Sequence, residues 1–456
     1  MASTDPDPTA DTGQAGVGRA FGWSVISSGG ILFLGIATGV LLARELGPDL
    51  RGALAAALLV PSLVAPLGVI GLVEAISFFV ARRSAPDGEL LGSALALTIA
   101  SSVVVTGASA GLVALVVGGQ SPGTLTSAYL FLVSLPFTMV TLVLAGYVNG
   151  HHRFAWTQTL RVSVVLIAAG GLFIAAVFGH LDVRTAVLVY LAANLFTGAL
   201  AIMMVKSLLN EPLTVKRATA RELLAFGGRS FASTIAWRLN ERIDQPFIAI
   251  FLAPAQLGLY VTAVTLASLA LLIGSSIIFV ALPVMSGLED PDERRRLASA
   301  LIGVTLIASV VLTLPLFVGT GFLLDLFFGH AFAVVAPVAR ILLVASVVIS
   351  VNRAIESVLI GIGRPADAAK AELLTLPVTA VGLLVLLPLI GLPGAGWTSL
   401  AAYLTAFVLI SRRAAKALGT TQRRLLMPGR EDLEALVLRR RRSRRRGPLG
   451  ADGAAR

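Results

Sequence analysis

Arg238 and Arg242 stand four residues apart within an apolar stretch, residues 226–252 (FGGRSFASTIAWRLNERIDQPFIAIFL), with Glu241 and Asp244 beside them. That spacing puts both guanidinium groups on one face of a helix. A guanidinium is planar, stays charged at every accessible pH and pairs with phosphate oxygens two bonds at a time. Such groups can replace the water around a phosphate or pyrophosphate where water is scarce. A second cluster, Asn352, Arg353 and Glu356, lies at similar depth in a later apolar stretch. Arg238 with Glu241 and Arg353 with Glu356 are also i,i+3 pairs, so mutual neutralisation that holds the helices in place is the competing role. Asp244 reads as structural. Glu74 has no evident local partner, which leaves it two roles: a titrating group in proton coupling, or the partner of an arginine elsewhere in the chain.

These charges gain meaning from the elements that must carry them. The chain of 456 residues is 56% hydrophobic and 13% charged, with a mean hydropathy of +0.88. That is too apolar for a soluble globule and marks an integral membrane protein. Twelve stretches approach the ~20 residues a helix needs to cross a bilayer core of about 30 Å. They lie near 20–43, 54–81, 91–117, 125–148, 157–178, 185–205, 226–252, 257–284, 297–319, 338–362, 371–390 and 396–412. Their continuous apolar character excludes a β-barrel, whose strands alternate every second residue. The fold class is therefore all-α. A charge at the bilayer centre costs about 2.5–3.5 kcal/mol on insertion scales, so the charges of 226–252 must face protein or a hydrated cavity.

Orientation follows from the loops, because short loops rich in Lys and Arg stay in the cytoplasm. With the N-terminus inside, the inner loops up to residue 370 hold Arg19, Arg82, Arg83, Arg153, Arg161, Lys206, Lys216, Arg217, Arg221, Arg294, Arg295, Arg296, Arg364 and Lys370. The outer loops hold Arg44, Arg51 and Arg184. This bias demands an even number of spans and two cytoplasmic termini. Residues 1–19, with three aspartates and one arginine, read as a disordered cytosolic leader and lack the basic start of a signal peptide. Residues 413–456 form a basic cytosolic tail with seven arginines between Arg439 and Arg446. Its expected partner is the anionic inner leaflet, through a short interfacial helix; the alternative is a disordered retention tail that does no more than reinforce topology. Because the basic residues form loops and a tail with no interleaved aromatic face, nucleic-acid binding is not expected.

The halves repeat. Phe21-Gly22 recurs as Phe226-Gly227, and Leu46-Gly47-Pro48-Asp49-Leu50-Arg51-Gly52 recurs as Leu252-Ala253-Pro254-Ala255-Gln256-Leu257-Gly258. Six spans per copy preserve direction, which makes the copies parallel repeats. The expected organisation is an N-lobe at 20–205, a cytosolic linker at 206–225 and a C-lobe at 226–412. With no cysteine and four scattered histidines, no metal site or disulfide is expected. The chain has no phosphate-binding loop of the G-x-x-x-x-G-K-[ST] type and no catalytic constellation, so no cofactor is implied and an enzyme is not expected. Intramembrane saccharide polymerases and ligases are the rival class. They would usually carry a large outer loop, whereas the longest outer connection here spans only about residues 320–337.

Leu42-Ala43-Arg44-Glu45-Leu46-Gly47-Pro48 with Gly52 resembles the first-hairpin signature of polysaccharide flippases in the multidrug/oligosaccharidyl-lipid/polysaccharide exporter superfamily. Arg242-Ile243-Asp244 followed by Leu257-Gly258-Leu259-Tyr260 resembles the seventh-span signature of the same group, and Gly361-Ile362-Gly363 makes the turn after span ten. Arg51 stands where an aromatic is common in that group. The first span lacks the carboxylate that drug/cation antiporters of the superfamily typically carry. The resemblance implies two bundles rocking around a central cavity in a bacterial cytoplasmic membrane, and export of a polyprenyl-pyrophosphate-linked oligosaccharide. Arg238, Arg242, Arg353 and Asn352 are the expected substrate contacts, and Glu74, Glu241, Glu356 and Asp244 the coupling or cavity carboxylates. Polysaccharide-assembly proteins are candidate partners. A cation-coupled drug antiporter and a peptidoglycan-precursor flippase are the alternatives.

Overall fold

The computed structural model describes residues 12–240, 242–271, 285, 288, 290–429 and 431–432, with the side chains of 12–26, 230 and 232–238 left aside. Among these residues the secondary structure is helical throughout. In order the helices are α1 (Thr12–Gly68), α2 (Leu72–Ala81), α3 (Asp87–Val117), α4 (Pro122–Leu132), α5 (Ser134–Gly150), α6 (Phe154–Val177), α7 (Val183–Lys206) and α8 (Arg217–Asn240). They continue as α9 (Asp244–Phe251), α10 (Pro254–Ser268), α11 (Pro291–Val318), α12 (Ala336–Gly361), α13 (Pro365–Ile390), α14 (Leu392–Ala417) and α15 (Gln422–Leu426). Ten stretches among the described residues are long and apolar enough to cross a membrane. They overlap eleven of the twelve expected spans, the exception being 226–252, whose polar residues keep it off that count. Large apolar side chains such as Val103, Phe173, Phe178, Val318 and Leu389 stand more than half exposed, as a lipid-facing surface requires.

Several boundaries move from their expected places, each for a local reason. Helix α1 begins at Thr12, inside the expected leader; residues 1–11 lie outside the described residues. It runs through the first hairpin with one non-helical residue, Gly47 at φ 67°, a conformation that costs glycine nothing. The expected second span breaks at Ile70 and Gly71, both at positive φ, which separates the end of α1 from α2. The connection 320–337 is itself wound into short helical turns between Thr320 and Val335.

The chain packs as two units. The first comprises residues 1–266, 321–336 and 384–392, the second 267–320, 337–383 and 393–456. The first boundary falls at Leu266, beyond the expected linker, because that linker is clasped. Thr214 N donates to Gly88 O at 3.1 Å, Gly88 N to Glu211 Oε2 at 3.2 Å and Lys216 N to Ser93 Oγ at 3.1 Å. Glu89, buried at the start of α3, pairs with Lys216 and accepts from Thr219. The core of this unit collects Leu72, Ile76, Leu90, Leu135, Met139, Tyr147 and Leu223.

The repeated hairpins also meet inside the first unit, and they do so reciprocally. A Cβ built on Gly52 would overlap the carbonyl oxygen of Pro254 and lie 3.0 Å from Gly258 N. One built on Gly258 would overlap the carbonyl oxygen of Pro48 and lie 2.8 Å from Gly52 N. Glycine is needed at both positions because backbone packs directly on backbone. A second seam joins α2 to α8, where a Cβ on Gly71 would overlap Gly227 O, and one on Gly227 would come within 2.8 Å of Ile70 O.

The second unit is built around Leu297, Leu301, Ile302, Val351, Ile355, Val358, Ala371, Ile410, Ala414 and Leu425. Its last member, Leu425, comes from beyond α14. Helix α14 extends to Ala417, and residues 420–429 and 431–432 lie against α11, with 433–456 outside the described residues.

Candidate functional site

The stretch expected as one continuous seventh span is two helices. Helix α8 ends at Asn240, and α9 starts at Asp244. Between them the backbone turns, with Ile243 N donating to Leu239 O at 2.9 Å and Gln245 N to Arg242 O at 3.3 Å. The cause is in the sequence. Pro246 has no N–H to donate to the carbonyl of Arg242, and its ring crowds that carbonyl. Pro246 was the available signal for the break.

The charges sort themselves around this turn. Arg242 is exposed, and Asp244 is buried. The Asp244 carboxylate accepts a hydrogen bond from Gln245 N at 2.8 Å through Oδ1, and one from the Tyr260 hydroxyl of α10 through Oδ2. Tyr260 is itself fully buried. The two short stretches Arg242-Ile243-Asp244 and Leu257-Gly258-Leu259-Tyr260 are thus tied by one buried bond, beside the turn at which Arg242 is exposed. Arg238 lies on α8, but its side chain, like all of Glu241, falls outside what is described. Along the backbone, Arg238 and Arg242 come 11 and 15 residues after Gly227 and 16 and 12 residues before Pro254. They therefore lie between the two glycine seams. A fixed cation such as Arg242, beside the start of a helix, is suited to holding an anion.

Glu74 is exposed in the first turn of α2. It lines a cavity of about 90 Å³ with Pro66, Val69, Gly71, Val73, Leu142 and Phe231, next to the α2–α8 seam. This setting is mostly apolar, and no cation lines it among the described residues.

In the second unit Arg353 Nη1 lies 3.0 Å from Glu356 Oε2, both side chains largely buried. Glu372 on α13 is an electrostatic neighbour of the same carboxyl, and Glu356 Oε1 has no hydrogen-bond partner among the described residues. Glu356 therefore has both a guanidinium and a second carboxyl group as neighbours. Asn352 is buried and bonds Tyr403 O of α14 at 3.0 Å, with its Oδ1 unpartnered among the described residues. Part of its hydrogen-bonding capacity is already used in joining α12 to α14. Glu372 escaped the sequence reading, since a lone acid at the start of an apolar run looks like an interfacial residue.

Arg51 also departs from expectation. Placed among the outer loop cations by sequence, it is 9% exposed, and its Nε has no hydrogen-bond partner among the described residues. Its guanidinium folds back along α1 into the notch left by Gly39, where Thr265 also packs.

Comparisons with known proteins bear on this geometry. The profile of a family described as polysaccharide biosynthesis protein matches residues 19–289. The chain is 25% identical over 425 residues to a protein of Haloferax volcanii named probable low-salt glycan biosynthesis flippase Agl15, covering 89% of this chain and 86% of that one. Among solved structures it resembles the lipid II flippase MurJ in an inward closed conformation, with TM-score 0.71, 14% identity and coverage of 94% and 93%. It also resembles an inward-facing multidrug resistance MATE family transporter of the MOP superfamily, with TM-score 0.69, 15% identity and coverage of 85% and 95%. At these identities the structural likenesses establish a shared fold.

Proposed function

The chain belongs to the polysaccharide biosynthesis protein family, and from that premise we propose that it is a flippase, moving a polyprenyl-pyrophosphate-linked oligosaccharide from the inner to the outer leaflet by alternating access. The observation that carries this is the broken span of α8 and α9. It leaves Arg242 exposed and puts the backbone of Arg238 one turn before it, between two seams where glycines let the chain close on itself. Fixed guanidinium groups there take over the solvation of a pyrophosphate while its lipid tail remains in the bilayer. The Haloferax relative is named for glycan biosynthesis and flipping, which supports a saccharide-lipid cargo here.

In this proposal the protein has twelve spans in two six-helix lobes, at 20–205 and 226–412, with both termini in the cytoplasm of a bacterium. Arg238, Arg242, Arg353 and Asn352 contact the substrate, Asp244 fixes the turn, and Glu74, Glu241 and Glu356 are the coupling carboxylates. The docking of 206–216 against α3 and of Arg44 against the carbonyls of Leu326 and Phe327 supports the alternation, because in each case two loops assigned to one side meet. The basic tail lies on anionic lipid of the inner leaflet, and polysaccharide-assembly proteins are the partners.

The test is transport. Arg238→Ala and Arg242→Ala should each leave folded protein in the membrane while saccharide-lipid accumulates on the inner leaflet. Normal export in both variants rejects the site. The cavity beside Glu74 favours one second reading, a cation-coupled antiporter. Loss of organic-cation efflux from loaded vesicles on Glu74→Gln, with saccharide-lipid export intact, would establish it. A peptidoglycan-precursor flippase is separated from both by whether loss of the chain is lethal.

A further inference from the structure

Helix α11 has 28 residues, about 42 Å at 1.5 Å per residue, against a bilayer core of about 30 Å. Its excess lies at the N-terminal end, where Asp292, Glu293, Arg294, Arg295 and Arg296 precede the apolar run that starts at Leu297. These residues therefore stand at headgroup depth. Residues 420–432 return to the same place and lock there. Ser299 Oγ donates to Arg424 O at 2.7 Å, Leu425 is fully buried, and Pro428 fills the notch at Gly303, where a Cβ would overlap its ring. Gln422 Nε2 bonds Ser411 Oγ at 2.9 Å. Buried Asp432 closes the segment by accepting from Gly429 N at 2.8 Å.

Between α11 and this docked segment lies a cavity of about 190 Å³, whose polar lining includes Asp292, Arg295, Arg296, Thr420, Arg424 and Asp432. Its charges do not cancel. Arg295 is paired with Asp292, and Asp432 is occupied by Gly429 N. Arg296 and Arg424 have no carboxylate within ion-pair distance among the described residues. Two exposed guanidinium groups lining one cavity, with no ion-pair partner among the described residues, form a receptor for a phosphate group. The depth of the site, at the end of a spanning helix, favours a phosphate carried by a lipid over one free in solution.

Resting on the reading that this end of the protein meets anionic lipid, and independent of what is transported, we propose that the cavity between α11 and residues 420–432 binds the phosphate of an anionic phospholipid through Arg296 and Arg424. Because the cavity exists only while 420–432 is docked, the lipid stabilises that docking by linkage.

The test titrates the purified full-length protein in detergent with phosphatidylglycerol, phosphatidylcholine or inorganic phosphate, reading the thermal unfolding midpoint. Phosphatidylglycerol should raise the midpoint above phosphatidylcholine. The double variant Arg296→Gln/Arg424→Gln should weaken the apparent affinity about tenfold or more. Arg423→Gln, an exposed neighbour outside the cavity, and removal of residues 433–456 should both retain the effect. An effect kept by the double variant but lost with 433–456 overturns the cavity site while leaving anionic-lipid contact standing. No preference for phosphatidylglycerol in any form overturns both. If inorganic phosphate reproduces the shift at matched concentration, and the double variant abolishes that too, the ligand is free phosphate and the lipid assignment falls.

Discussion

At the scale of single residues, the charged groups divide by whether their partner lies within the same helix. Arg353 and Glu356 are an i,i+3 pair, visible from spacing alone, and they do meet. Asp244 takes its partner from Tyr260, sixteen residues on, and no local rule pairs them. Its burial was equally illegible, because a carboxylate among apolar residues reads the same whether it faces a cavity or a hydroxyl. Tyr260→Phe would remove one donor from a buried carboxylate, a loss of about 1–3 kcal/mol. The expected result is a lower unfolding midpoint and a weaker hold on the α8–α9 turn, while Asp244→Asn in the same background restores part of the stability. A midpoint unchanged by Tyr260→Phe would mean the hydroxyl is not what satisfies Asp244. Breaking the Arg353–Glu356 pair from the arginine side leaves the largely buried Glu356 carboxyl without its cation, at a cost of about 3–5 kcal/mol. Arg353→Ala should therefore be more damaging than the double variant Arg353→Ala/Glu356→Gln, and a double-mutant cycle in unfolding free energy measures the difference. Equal damage in both would show that Glu372, and not Glu356, carries the interaction.

Among elements, most of the membrane helices could be read from their apolar runs, since burial in lipid needs only length and composition. Two of the interruptions could not, although their causes are single residues. Gly47 falls in the hairpin expected between 20–43 and 54–81, whereas Gly71 and Pro246 each stop or turn a helix that hydropathy alone would carry through. The repeat of Pro48–Gly52 in Pro254–Gly258 was legible as a pattern, yet a pattern does not say that its two copies touch. They touch because both end in glycine, which lets each hairpin rest on the other's proline carbonyl. A side chain at either position must push backbone apart, and overpacking of this kind costs about 1–3 kcal/mol. Gly52→Val and Gly258→Val should each lower the unfolding midpoint. Because the two changes wedge open one seam, the double variant should cost less than their sum. Additive losses would mean that the two glycines act in separate contacts.

Taken whole, the molecule joins in space the loops that the charge bias assigns to one side of the membrane. Residues 87–93 hold 211–219, and His151 lies 3.1 Å from Asp87. On the opposite assignment, Arg44 reaches the carbonyls of Leu326 and Phe327. An odd number of crossings anywhere between these loops would put bonded residues on opposite faces, about 30 Å apart. The chain contains no cysteine, so single introduced thiols report topology without background. Ser84, Gly119, His180 and Ser207 are exposed loop positions. In intact cells a membrane-impermeant maleimide should label Gly119→Cys and His180→Cys, whereas Ser84→Cys and Ser207→Cys should react only after permeabilisation. The reverse pattern would invert the protein and make Arg296 and Arg424 face the outer leaflet. A mixed pattern would break the alternation on which the paired six-helix arrangement depends. The orientation matters for energetics as well as geometry, since a pyrophosphate leaving the cytoplasm under an inside-negative potential moves down the electrical gradient by about 2.3 kcal/mol per charge per 100 mV. With the arginines of α8 and α9 placed as proposed, that potential supplies part of the drive, and collapsing it in vesicles should slow outward transfer of the saccharide-lipid while leaving its binding unchanged.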